Sequence, residues 1–454
     1  MTFCMFTTFF GPHSFGGDAA FVDRLSRALA RRGHEVHVVY CRDAFEMVRG
    51  AETPRPYEPP PGVVIHPLSS RFGALSPLAT HQTGRPWFKE GAIRRLLRSI
   101  RPDVVHFHNL SLVGGPGLLG VPAPGAIKLL TTHEHWLVCP LHVLWKLDRE
   151  VCERPECLRC CLRDRKPPQP WRATGLMERS LRHLDALICP SRSTQRSHAE
   201  RGIAAATTHL PYFLPEDYTG LPERPEPRHP RPYFAAAGRL EKIKGFQDAI
   251  DAMRLLPDVD LRIAGSGRFE AELRARAAGL SNVHFEGRLD SASLAALFRG
   301  ARGVVVPSLV FETFGYVVLE AFNERTPVVV RDLGALPELV GESCGGLVFD
   351  SAESLVVALR RLAVDDEART SMGEHGYQAR RSIWSEEAHL ERYFALIDGC
   401  RGGREGQENP RKLALSAAAG DVTSRAGPAP PHAQGRPAGW HGSPGSPIAG
   451  ARRP

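Results

Sequence analysis

The sequence predicts an α/β protein of two Rossmann-like, doubly wound domains facing a central cleft, followed by a disordered C-terminal tail. Three observations predict it. Short β-branched or apolar runs alternate with helix-period segments along most of the 454 residues, as parallel sheets with crossover helices require. The alternation occurs twice, on either side of a stretch at 214–232 that is thick with Pro, Glu and Arg and has no period. After Asp398 the chain turns to Gly, Pro, Ala, Ser and Arg, a composition that buries too little to order itself.

In the first domain, 1–213, a β-rich run at 2–10 leads through a glycine loop at 11–17 to a helix at 21–32. Its apolar positions Phe21, Leu25, Ala28 and Leu29 recur at helical spacing. Gly33-His34 stops that helix before a β-branched strand at 36–40, completing a βαβ unit of parallel type. Residues 103–108, 129–133 and 186–190 read as further buried strands. The apolar N-terminus has no basic leader and meets Gly11-Pro12 at once, so it reads as a strand and not a signal peptide. No run of about 18 apolar residues occurs, and a cytoplasmic location is the default expectation.

The second domain, 233–384, offers strands at 233–238, 261–264, 283–286, 303–307, 327–330 and 346–349, alternating with helical segments such as 246–256, 291–298 and 316–323. A helix at 385–400 is expected to return to the first domain, and 401–454 forms the tail. Open parallel sheets bind ligands at the carboxyl ends of their strands, so both sheets can present that edge to one cleft.

The net charge of +8, from 58 Lys+Arg against 50 Asp+Glu, invites a nucleic-acid partner. Its distribution argues against one: 30 basic and 22 acidic residues in 1–230, 20 and 25 in 231–400, and 8 and 3 in 401–454. A phosphate backbone calls for a dense basic stripe with a recognisable module, and none is legible.

The chemistry concentrates in the second domain. Glu312 and Glu320 stand on either side of a turn at Phe314-Gly315 that launches a helix. They can grip different parts of one ligand while the amides near Gly315 face an anion. Upstream, Gly238-Arg239-Leu240 and Lys244-Gly245 flank one loop after a strand. Lysine is scarce in this arginine-rich chain, so Lys242 and Lys244 together stand out. Arg239 as a planar fork and Lys244 as a point charge can neutralise a diphosphate.

These elements, with Gly265-Ser-Gly267 and the run from Asp332 to Glu338, resemble the donor half of retaining GT-B glycosyltransferases of family 4. The glycine loop Phe15-Gly16-Gly17, the helix end Arg32-Gly-His-Glu-Val36 and Thr132-His133 are similar to the acceptor half, in the same order over about 2–398. The resemblance implies that Arg239 and Lys244 hold the diphosphate of a nucleotide-diphosphate sugar and that Glu320 binds its ribose. Glu312 with the amides of Phe314 and Gly315 would hold the sugar. Gly16 and Gly17 would approach the phosphates, Gly265 would belong to the donor site, His133 would line the sugar pocket, and Arg288 would lie near the base. It also implies retention by front-face displacement, with the departing phosphate helping to deprotonate an unknown sugar or lipid-linked acceptor, in polysaccharide or glycolipid synthesis. Two fixed cations and a helix terminus can stabilise the leaving phosphate without a metal cofactor. A nucleotide-sugar epimerase and a non-catalytic scaffold on the same fold are the alternatives. One departure is Asn323-Glu-Arg-Thr326, where the family often has a small residue and glycine.

Other candidates are less specific. The pairs His106/His108 and His133/His135 suggest a metal, and the expectation is that strand alternation splits each pair. Asp258-Val-Asp260 reads as a polar turn. Cys157 and Cys160 have the spacing of a metal knuckle. With Cys152 and either Cys139 or Cys161 they can form a structural zinc site, or they stand as buried or reactive thiols. Residues 159–201 carry ten basic and four acidic side chains interleaved with Trp171, Leu176, Met177, Leu181 and Leu184. That pattern reads either as a solvated helical face packing its apolar side inward or as a peripheral surface for anionic membrane, on the inner face, or for a lipid-linked acceptor.

Overall fold

The central strands of both sheets are short and carry apolar side chains buried on both faces, as expected of parallel sheets covered by helices. The computed structural model describes residues 1–14, 16–50, 54, 56–218 and 231–417, with side chains to 404. Phe15, most of the expected linker (219–230) and the tail from 418 onward lie outside the described residues.

The first sheet contains β1 (Thr2–Phe6), β2 (Glu35–Cys41), β3 (Val63–Leu68), β4 (Val104–Phe107) and β5 (Ile127–Thr131). After a small antiparallel ribbon, β6 (Trp145–Lys146) and β7 (Glu150–Val151), it is completed by β8 (Ala186–Cys189) and β9 (Thr207–His209). The order is β3-β2-β1-β4-β5-β8-β9, all parallel. Its helices are α1 (Gly17–Arg31), α2 (Arg42–Arg49), α3 (Leu75–Thr83), α4 (Glu90–Ile100), α5 (Cys157–Arg163), α6 (Leu176–Leu181) and α7 (Arg192–Glu200). Two strands, β3 and β9, escape the sequence pattern. β3 is an edge strand carrying His66 and Pro67, which breaks the β-branched run where an edge tolerates proline. β9 has three residues, too few to show a period.

The second sheet contains β10 (Tyr233–Ala237), β11 (Asp260–Ala264), β12 (Val283–Gly287), β13 (Val304–Val306), β14 (Val328–Arg331) and β15 (Gly346–Phe349), in the order β12-β11-β10-β13-β14-β15. The helices are α8 (Phe246–Met253), α9 (Glu270–Arg276), α10 (Ser291–Arg299), α11 (Tyr316–Asn323), α12 (Leu336–Ser343), α13 (Ala352–Val364) and α14 (Asp366–Ser382).

Packing follows from the helical stripes. Phe21, Val22, Leu25, Ala28 and Leu29 of α1 bury against Phe3, Met5, Val36 and Val38 of the central strands. The opposite face of that sheet takes Ile93 and Leu97 of α4 together with Trp171, Leu176, Met177 and Leu181. Those last four are buried. Of the two readings of 159–201, the structure therefore agrees with the solvated helical face that packs its apolar side inward, and Leu184 is half-buried against the same cluster.

The final helix, α15 (Glu386–Ala417), packs its described part on the first domain. Tyr393 stacks on Phe3 at 6.2 Å between ring centroids, and Arg31 pairs with Glu386. Its backbone runs beyond 400, where the sequence reading begins the tail. The run Lys412-Leu-Ala-Leu-Ser-Ala417 there consists mostly of good helix formers.

The doubly wound topology fixes where ligands can enter. The first sheet reverses direction between β1 and β4, the second between β10 and β13. A crevice opens at the carboxyl ends of such strand pairs. The loops there are 7–17 and 108–116 in the first sheet, and 238–245 and 307–315 in the second.

Candidate active site

The loop after β10 and the loop after β13 are held together by backbone approach. Gly245 has φ +73°, and a Cβ there would lie 1.9 Å from the Pro307 carbonyl. Gly265, φ +140°, packs so closely on Gly238 that a Cβ would lie 1.9 Å from the Gly238 carbonyl. Gly265 thereby supports the Arg239 loop from behind.

That apposition brings the predicted charges together. Lys244 Nζ lies 2.6 Å from Glu312 Oε1, and Ser308 Oγ donates to the same oxygen at 2.6 Å. Burial pushes the Glu312 carboxyl up, but Lys244, Ser308 and Arg239 together hold it below its ordinary value. Glu312 is thus an anion whose Oε1 is taken twice, leaving Oε2 for a ligand. Three residues on, the φ +124° of Gly315 starts α11 with no side-chain cap, so its first amides have no such partner.

Glu320, on α11, meets two residues that the sequence reading missed. Tyr218 donates its hydroxyl to Glu320 Oε1, and Arg24 of α1 lies 4.0 Å from the same oxygen. The Arg24 guanidinium sits between the Tyr218 and Tyr316 rings, 4.8 and 4.5 Å from their centroids. The signal for Arg24 is its place three residues after Phe21 and one before Leu25, on the stripe that α1 buries.

Across the cleft, Thr313 binds the 307–315 loop to the first domain. Its hydroxyl donates to the His133 carbonyl at 2.9 Å, and its carbonyl accepts from Thr194 Oγ1 at 3.1 Å. His133 therefore lies beside the Glu312–Gly315 loop. Its Nδ1 is 2.5 Å from the Tyr212 hydroxyl and its Nε2 is 2.9 Å from His108 Nδ1. Burial lowers its pKa to about 3, so the imidazole is neutral at physiological pH. Gly16 and Gly17 are exposed at the start of α1, and a Cβ on Gly17 would lie 4.0 Å from the Tyr316 ring. Asn109, also missed, donates to Asp18 Oδ2 at 3.1 Å and to Glu134 Oε1 at 3.2 Å. Burial lifts Asp18 to about 6, with Glu134 adding to the rise.

Some expectations change. His106 and His108 are not split: residues two apart on a strand share a face, and their ring centroids lie 4.1 Å apart. His133 and His135 do diverge, because β5 ends at Thr131 and His135 turns to the Phe311 carbonyl at 3.1 Å. Arg288 is exposed just past β12, and no described contact draws it to Arg239, Lys244 or Glu312. Lys242 points away from Lys244 and reaches the Asp148 carbonyl at 2.8 Å. Cys139, Cys152, Cys160 and Cys161 gather in one small apolar cluster with Phe311 against it, Cys157 being half-buried beside them. Among the described residues no group of three or more His, Cys, Asp or Glu side chains could hold a metal ion, so the expected zinc site is not supported. At the departing turn, Arg325 takes φ +53°, the conformation a glycine adopts freely.

Two family models match in tandem: Glycosyltransferase Family 4 over residues 15–212 and Glycosyl transferases group 1 over residues 221–379. The chain belongs to glycosyltransferase family 4. It is 29% identical over 427 residues to the D-inositol 3-phosphate glycosyltransferase of Pseudarthrobacter chlorophenolicus, covering 86% of this chain and 92% of that protein. It is 36% identical over 153 residues to the phosphatidyl-myo-inositol mannosyltransferase of Mycolicibacterium smegmatis, covering 32% of this chain and 38% of that one. Among solved structures, the sucrose-phosphate synthase of Thermosynechococcus elongatus superposes with a TM-score of 0.67 at 20% identity, over 88% of this chain and 99% of that one. Anabaena HepE in complex with UDP and glucose gives 0.60 at 16% identity, over 87% and 99%. The fold is GT-B, and the family's activity is sugar transfer rather than epimerisation.

Proposed function

We propose that this enzyme moves a sugar from a nucleoside-diphosphate sugar to a hydroxyl of a sugar or lipid-linked acceptor, with retention at the anomeric carbon. The observation that carries the reading is the Arg239, Lys244 and Glu312 group at the second sheet's switch point, facing the uncapped start of α11. The summed charge of those three side chains is one positive unit, set where a diphosphate develops negative charge as the sugar departs. Fixed cations and amides aimed at that charge need little reorganisation during the reaction. Arg239 and Lys244 bind and stabilise the diphosphate, Glu312 Oε2 takes a sugar hydroxyl, and Glu320 takes the ribose. Neutral His133, oriented by Tyr212, lines the sugar pocket. On this reading the departing phosphate oxygen receives the acceptor's proton, and peripheral contact with an anionic membrane serves a lipid-linked acceptor.

The UDP and UDP-glucose bound by Anabaena HepE make uridine donors the first to test. A thermal-shift screen of nucleoside-diphosphate sugars on wild type and Glu320→Ala tests the reading: at least one donor should stabilise the wild type, and the variant should lose that shift. A wild type that no nucleotide sugar stabilises refutes it.

A further inference from the structure

Five large apolar side chains of the first domain stand exposed in one short stretch: Phe72, Leu75, Leu78, Trp87 and Phe88, with Trp87 62% and Leu75 60% exposed. They form one patch. The Phe72 and Phe88 rings lie 4.4 Å apart, Leu75 closes a turn on the Phe72 carbonyl, and Leu78 follows Leu75 by three residues on α3. Solvated proteins seldom leave such a group uncovered.

The patch has a definite place and charge. Lys89 Nζ reaches Ser76 at 2.5 Å and Asp43 at 3.5 Å, which pins both ends of the 76–89 segment beside the carboxyl end of β2. Gly117 donates to the Gly84 carbonyl at 2.8 Å, tying the Trp87 loop to the chain that leaves β4. The patch therefore lies at the same sheet edge as Asn109, His133 and the Gly16-Gly17 loop. Around it, residues 71–101 hold Arg71, Arg85, Lys89, Arg94, Arg95, Arg98 and Arg101 against a single acid, Glu90. Glu90 pairs with Arg94, and Lys89 pairs with Asp43. No ion pair is seen for Arg71, Arg85, Arg95 or Arg98 among the described residues. Arg85, Arg94, Arg179 and His183 line a surface groove next to the patch.

We propose that this face docks on an anionic lipid bilayer, with the aromatic and leucine side chains entering the headgroup boundary and the arginines on lipid phosphates. Aromatic and aliphatic groups ringed by arginine suit that boundary, and the long arginine stems let the charges stay wet. Self-association across a two-fold axis would set the arginine rims against each other, which like charge opposes. The inference gives the membrane contact of the proposed function a location and rests on that reading. The surface is that of α3, α4 and their connection, not the 159–201 stretch, whose apolar side is core.

Flotation of the full chain with phosphatidylcholine vesicles, with and without phosphatidylglycerol, tests it without any turnover. Wild type should rise with the anionic vesicles only. Trp87→Ser with Phe88→Ser, and Arg95→Glu with Arg98→Glu, should each abolish the recovery, because a single basic residue near an anionic surface is worth roughly five-fold in partitioning. Both variants change exposed side chains, and their donor-induced thermal shift should match wild type, which separates loss of docking from loss of the transferase site. Equal recovery with neutral and anionic vesicles, no recovery with either, or variants that float like wild type each overturn the proposal. So does a dimer in light scattering that the Trp87 and Phe88 variant dissolves, since the occupant would then be a second copy.

Discussion

The two walls of the cleft solve the same positioning problem in opposite ways. On the donor wall of the proposed reaction, Lys244, Ser308 and Glu312 are polar groups on two loops that one glycine contact clamps together. On the acceptor wall of that proposal, His133 is held by Tyr212 and His108 in a buried stack of rings, with Phe21 at 5.3 Å and Tyr212 on Tyr316 at 5.2 Å. Charge sets the first wall and burial sets the second. Substitutions on the donor wall should therefore act on transition-state charge, and those on the acceptor wall on geometry and acid stability.

The largest expected effect is Lys244→Ala. Losing one preorganised donor to developing charge costs about 10²–10³ in kcat, measured as initial rates of sugar transfer at saturating donor. Lys244→Ala also leaves Glu312 buried without its cation. Combining it with Glu312→Gln relieves that strain and should not restore activity. Recovery in the double variant would make Lys244 a structural counterion and collapse the contrast between the walls.

On the acceptor wall the sharper measurement is stability against pH. Burial lowers His133 and His135 from 6.5 to about 3 and His389 to about 4, and it lowers His106 and His108 well below the ordinary value. The folded chain refuses protons that the unfolded chain accepts. This stability is complete above the ordinary value and is lost as pH falls from about 6.5 toward the folded values, at up to roughly 1.4 kcal/mol per pH unit for each such histidine. Asp18, raised to about 6, has the opposite sign and offsets part of the loss as it protonates. Urea midpoints should drop between pH 7 and pH 5. A flat profile would mean that water reaches these rings.

The difference between the walls also explains what could be read from the residues alone. Arg239, Lys244, Glu312 and Glu320 occupy two local runs, and their spacing on a strand-turn-helix is a property of short stretches. The acceptor wall joins Thr313 to His133, Tyr212 to His133 and Tyr393 to His106, contacts spanning 180, 79 and 287 residues. No local pattern encodes them. Tyr212 lies just before the aperiodic linker and Tyr218 within it, where period carries no information, and β3 hides behind Pro67. The patch at 71–101 is hidden in the sequence for a related reason. Basic-aromatic mixing looks the same in 71–101 and 159–201, and only packing shows which apolar side chains the sheet absorbs.

Tyr218→Phe should have a smaller effect. The hydroxyl donates to Glu320 Oε1, and on the proposed reading Oε2 takes the ribose. Removing one half-buried hydrogen bond to a charged group should raise donor KM about three- to ten-fold with kcat little changed. A fall in kcat with unchanged KM would move Tyr218 from donor binding to the reacting centre.

The smallest effect should come from Lys242→Ala, two positions from the largest. Lys242 carries the same side chain as Lys244 in the same loop, so composition alone does not rank them, and only the resemblance singles out Lys244. Its ammonium bridges to Asp148 at 3.3 Å with both side chains over 40% exposed, whereas Lys244 and Glu312 are 25% and 19% exposed. An exposed pair contributes about 0–1 kcal/mol and is screened by salt. Transfer rates for Lys242→Ala should therefore stay within about two- to three-fold of wild type, with the gap closing as salt is raised. A loss as large as that of Lys244→Ala would place Lys242 on the diphosphate, and the bridge to Asp148 would then be a contact that donor binding must break.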